Sequence, residues 1–136
     1  MLFQRLGKYA PVGELLLRVT IGVVLCGHGW QKISGGMKFE GSVARIGFPF
    51  PLFFAWCAAL AEFLGGLCIA LGLFTRPAAF FAGFTMIVAV SSNITRPLIG
   101  GFDWPLTLLL CCLFFFIAGG REYSLDNFFL KKKQSV

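Results

Sequence analysis

Four long stretches of this chain carry few charges, and glycine, proline and polar residues separate them. They run roughly over 12–33, 52–74, 77–96 and 102–119. Each is read as a helix crossing a hydrocarbon core of about 30 Å at about 1.5 Å rise per residue. The fourth is the shortest: its purely apolar part, Leu106 to Ala118, spans only about 20 Å, so Trp104 and its neighbours must carry it to the interface or the bilayer must thin. The two-residue alternation of a membrane barrel is absent. The pattern predicts an all-α polytopic membrane protein, a single domain over 1–136 built as a four-transmembrane-helix bundle.

The separators predict how the helices join. Pro11 stands near the start of the first helix, and Gly35–Gly36 ends it after Ser34. In the connection 34–51, SGGMKFEGSVARIGFPFP, Phe39, Val43 and Ile46 recur at helical spacing. That spacing predicts a short interfacial helix over 39–47, stopped by Pro49 and Pro51. Thr75-Arg76-Pro77 makes a tight turn, and Pro97 to Phe102 forms the next link. Past Gly119–Gly120 the chain turns polar, with Ser124 placed to cap a helical turn through Phe129.

Composition strengthens the membrane reading: 57% of the 136 residues are hydrophobic and 13% charged, with 17 Phe and 1 His. The net charge of +6 sits mainly at span ends, which points to membrane orientation rather than nucleic acid. With four spans, Arg5, Lys8, Arg76, Arg121, Lys131, Lys132 and Lys133 share one side, against Lys32, Lys38, Arg45 and Arg96 on the other. The bias places both termini in the cytoplasm. Arg18 interrupts the first apolar run and no A-x-A site follows it, so that run is read as a retained helix rather than a signal peptide. All five cysteines fall inside spans without a CxxC, which argues against a disulfide framework or a redox pair.

Glu62 is the only charged residue between Phe50 and Phe74, and lies near the midplane of its span. An ionised carboxylate there costs several kcal/mol unless paired, neutralised or wetted. On the first helix Glu14, Arg18, His28 and Lys32 fall within an arc of about 80°, beside Gly22 and Gly29. Ala55, Ala58, Ala59, Glu62, Gly65 and Gly66 form a small-residue face on the second helix, and Ala82, Met86, Ala89 and Asn93 a similar one on the third. Depth along the helices makes Arg18 the expected ion-pair partner of Glu62. Such a pair serves either to fix packing or to build a ligand or proton-transfer site. His28 is placed as a donor or proton relay. With no second His and no spaced cysteine set, a metal site is not predicted.

Four segments of this chain together resemble the DoxX family of small four-helix membrane proteins: LLLRVTIGVVLCGHGWQK at 15–32, IGFPFP at 46–51, ALAEFLGGLCIALGLFTRPAA at 59–79, and GGREYSLD at 119–126. The matching positions are Arg18, His28, Lys32, Pro49, Glu62, Gly65, Gly66, Gly72, Arg76 and Ser124-Leu125-Asp126. Asn93 stands where many relatives place a histidine; it can hydrogen-bond but cannot relay a proton. Asp103 stands where a glutamate is common. The resemblance implies a small component of a quinone-linked electron-transfer or oxidant-defence complex in a bacterial cytoplasmic (inner) membrane. Glu62 and His28 are the catalytic candidates, and Arg18, His28, Lys32, Glu62 and Asn93 the candidates for holding a quinone. A soluble redox enzyme would be the partner. Two alternatives remain open: a non-catalytic membrane scaffold that recruits soluble enzymes through its basic ends, and a small-solute transporter working as a homo-oligomer.

Overall fold

The structure, a computed structural model, describes residues 7–134. Arg5 and residues 135–136 lie outside them. Six α-helices follow a short turn at Gly7–Tyr9: α1 (Ala10–Ser34), α2 (Glu40–Ile46), α3 (Pro51–Leu71), α4 (Thr75–Asn93), α5 (Asp103–Ala118) and α6 (Leu125–Gln134). A kinked wide turn, Leu98–Phe102, leads into α5, with Ile99 and Gly100 departing from helical angles. Pro11 and Pro51 sit in the first turns of α1 and α3, where their missing N–H removes no helical bond.

The four long helices pack in chain order, α1 on α3, α3 on α4 and α4 on α5, while α1 and α5 touch only sparingly. Glycine sets the closeness of α1 and α3. A Cβ added at Gly22 would lie 2.5 Å from the Ala70 nitrogen, and one at Gly66 would lie 2.5 Å from the Cys26 nitrogen. Backbones can approach this far only where no side chain intervenes. Across α3 and α4, Gly65 meets Ala78 and Ala82 in the same manner. The core is Ile21, Leu25, Ile69, Ala79, Ala82, Met86, Leu108, Cys112 and Phe115; a second cluster of Met37, Val43, Ala55 and Ala59 seats α2 against the bundle. Leu16, Val23, Leu64, Phe80, Leu110 and Ile117 point outward and exposed. Large apolar residues on the outside, with glycine and alanine where α1, α3 and α4 approach most closely, suit a lipid surround, where helices associate by close packing.

The expectation of four membrane-spanning helices is corrected here. Among the described residues three helices are long and apolar enough to cross a membrane: Gly7–Ser34, Pro51–Leu71 and Leu98–Ala118. The stretch read as 77–96 is not one of them. Its helix, α4, stops at Asn93, and its ends, Thr75-Arg76-Pro77 and Ser91-Ser92-Asn93, flank too short an apolar middle. The last span instead gains length, because the turn at Leu98–Phe102 continues into α5. The chain is thus an all-α, multi-pass membrane protein with three candidate spans.

At one end of the bundle the segment after α5 folds back over the others. Arg18, 3% exposed, donates through Nη1 to the Gly120 carbonyl and through Nη2 to the Tyr123 carbonyl. It fits because Gly72, at φ +70°, leaves no side chain in its path: a Cβ there would stand 2.9 Å from the Arg18 Cζ. Arg121 pairs with Glu14 at 3.1 Å. Asp126 accepts from the Phe74 nitrogen (2.8 Å), the Thr75 nitrogen (3.0 Å) and the Thr75 hydroxyl (2.9 Å), so it caps α4 from the far end of the chain.

Candidate polar cavity

At the other end of the bundle, α1, α2, α3, α4 and the start of α5 enclose a cavity of about 870 Å³. His28 and Lys32 line it from α1, Glu62 from α3, Thr85 and Asn93 from α4, and Trp104 from α5. Phe81 and Phe84, both exposed on the outside of α4, border it too, so the cavity reaches the outer surface of the bundle.

Lys32 Nζ lies 2.5 Å from Glu62 Oε1, and the Glu62 side chain is 2% exposed. The Lys32 ammonium also sits 4.4 Å from the centre of the Phe39 ring, which leads into α2. A carboxylate this deep is tolerable because its charge is matched. The match is incomplete: Glu62 Oε2 is buried without a hydrogen-bond partner. Trp104 Nε1 donates to His28 Nε2 at 2.9 Å. Indole can only donate, so the neutral His28 that accepts this bond carries its proton on Nδ1. Asn93 spends its amide locally, donating to Ala89 carbonyl at 2.8 Å and to Ser92 Oγ at 3.2 Å.

The expected Arg18–Glu62 pair does not form, and interhelical register is the reason. With Gly22 against Ala70 and Gly29 against Phe63, the antiparallel α3 brings Glu62 level with the residues just past Gly29. Arg18, four residues before Gly22, is thereby carried to Gly72 at the opposite end. Of the residues singled out from sequence, His28, Lys32, Glu62 and Asn93 line one cavity, and Arg18 does not. Trp30 and Trp56 also lie outside the cavity: Trp30 packs on Phe63 with ring centres 5.9 Å apart, and Trp56 borders a shallow surface depression. Trp104 lines the cavity instead. Sequence reasoning treated it only as an interfacial anchor, although the lone His and a helix-opening Trp at similar depth were a usable signal. Among the described residues no group of three or more His, Cys, Asp or Glu side chains is arranged to hold a metal ion.

The DoxX family model matches residues 13–94, which include every one of these cavity residues except Trp104. The chain belongs to the DoxX family. Three relatives align over nearly the whole of this chain. A Bacillus subtilis (strain 168) protein named "Putative oxidoreductase CatD" is 31% identical over 134 residues, covering 96% of this chain and 96% of that protein. An uncharacterized protein of Haemophilus influenzae is 32% identical, covering 95% and 99%. Inner membrane protein YqjF of Escherichia coli (strain K12) is 33% identical, covering 92% and 98%. No solved structure matches this DoxX chain.

Proposed function

We propose that this chain is a small membrane component of a quinone-linked electron-transfer or oxidant-defence complex, and that the polar cavity receives the quinone head group. The observation that carries the reading is the Lys32–Glu62 pair, set in the wall of a cavity that opens on the outer surface of the bundle beside Phe81 and Phe84. A charge pair set solely for packing needs no such space beside it. The volume lies within the range of about 300–1,000 Å³ typical of small-molecule sites. Its chemistry suits a ring with carbonyl groups: His28 Nδ1–H is a donor, and Phe81, Phe84 and Trp104 supply apolar and aromatic walls. A bound quinone would supply the two-electron chemistry; the protein's own groups would orient it and set the local field.

The name of the Bacillus relative agrees with a redox role, and that of the Escherichia coli relative agrees with a bacterial inner membrane. For orientation, the end bearing Lys8, Arg76, Arg121 and Lys131–Lys133 faces the cytoplasm under the excess of basic residues there. Native mass spectrometry and lipid extraction on gently purified protein test the proposal. Stoichiometric quinone in the wild type, reduced in folded E62Q and H28A variants, is the expected result. Wild-type protein with an intact fold and no quinone would overturn it.

A further inference from the structure

At the end of the bundle away from the polar cavity, α6 presents three consecutive large apolar side chains outward: Phe128 (62% exposed), Phe129 (55%) and Leu130 (61%). Leu125, one turn earlier, is exposed as well, and Lys131, Lys132 and Lys133 follow directly. A tail that was merely solvated would have no use for this apolar surface. Nor is the helix loosely attached. Ser124 Oγ accepts from the Asn127 nitrogen at its first turn, the Asp126 nitrogen donates to the Gly72 carbonyl, and the Asp126 carboxylate caps α4. Arg18 and the Arg121–Glu14 pair hold the preceding residues. The apolar and basic groups of α6 therefore extend from a first turn that is anchored to this end of the bundle.

Two aromatic residues mark the level of that position. Tyr9, at the start of α1, and Tyr123, just before α6, are both exposed at this end, as tyrosines are where helices leave the hydrocarbon. A helix anchored by its first turn, apolar along one part and tri-basic along the next, matches a surface with acyl chains beneath and negative phosphates above.

From this we infer that α6 is a lipid-binding element, with Phe128, Phe129 and Leu130 entering the acyl boundary and Lys131–Lys133 contacting the phosphates of anionic phospholipids. The partner is the lipid surface beside the bundle, and the inference does not depend on what occupies the polar cavity. Charge complementarity selects anionic over zwitterionic lipid, because a neutral headgroup layer lacks the negative surface potential that draws lysines.

Amide hydrogen exchange on the full-length chain in nanodiscs tests this, comparing phosphatidylcholine alone with phosphatidylcholine containing phosphatidylglycerol. The expected result is exchange across residues 125–134 slowed by about tenfold in the anionic discs, with α4 amides unchanged as the internal reference. High salt and the K131Q/K132Q/K133Q variant should each remove the difference. Equal exchange in the two lipids, or a difference that survives the triple substitution, would overturn the inference. So would protection that arises only when a soluble protein fraction is added, since α6 would then be a protein-docking element.

Discussion

Lys32 and Glu62 form a buried ion pair in which one carboxylate oxygen has no partner. Two free-energy terms oppose each other there: desolvation of both charges and their mutual attraction. Removing a single partner leaves the other charge stranded, at a cost of about 3–5 kcal/mol, whereas replacing both by apolar groups of similar volume is often close to neutral. K32A and E62A should therefore each lower unfolding stability in detergent micelles by about that amount, and K32M/E62M should recover most of the loss. Additive losses in the double variant would show that the two charges act independently. Asn93 contrasts with this pair. Its amide bonds are made within its own helix turn, so it borders the cavity without depending on another element.

At the scale of elements, α4 begins under strain and is held from a distance. Phe74, immediately before it, adopts φ +47°, a left-handed conformation costing a non-glycine residue about 1–2 kcal/mol. Its N–H and that of Thr75 both end on Asp126. D126A should destabilise the protein by about 1–2 kcal/mol and speed hydrogen exchange at Phe74 and Thr75, with D126N retaining part of the protection. Such relations mark where sequence reading stops. The α-helical segments and the glycine seam of α1 and α3 follow from apolar runs and small-residue spacing, which are local. Glu62 stands out by itself as a charge in an apolar run. Its partner does not, because depth along each helix leaves the register between two helices undetermined, and the contacts of Gly22 and Gly29 decide it. Asp126 as a cap and Trp104 as the donor to His28 are likewise visible only once distant segments meet. The 77–96 stretch misled for another reason: apolar content was counted across a segment whose helix ends at Asn93.

Taken whole, the bundle is a sequence of pairwise packed helices with a thin seam between its first and its last long helix. Two polar contacts bridge that seam near opposite ends: Arg18 to the carbonyls of Gly120 and Tyr123, and Trp104 to His28. W104F should keep the aromatic volume while removing one hydrogen bond, worth about 1 kcal/mol. Faster exchange confined to residues near 28–34 and 98–104, with the Arg18 end unaffected, is the expected pattern; uniform acceleration over the bundle would contradict a local bridge. The far-end cap has a consequence for biosynthesis. Asp126 follows Thr75 by 51 residues, so when α4 leaves the ribosome its capping carboxylate has not yet been made. The nascent chain can pair its helices in order, as each emerges, but the clasp across the first helix closes only after Gly120 and Tyr123 are translated. A chain truncated shortly before that point would have an uncapped helix and a buried arginine without its acceptors.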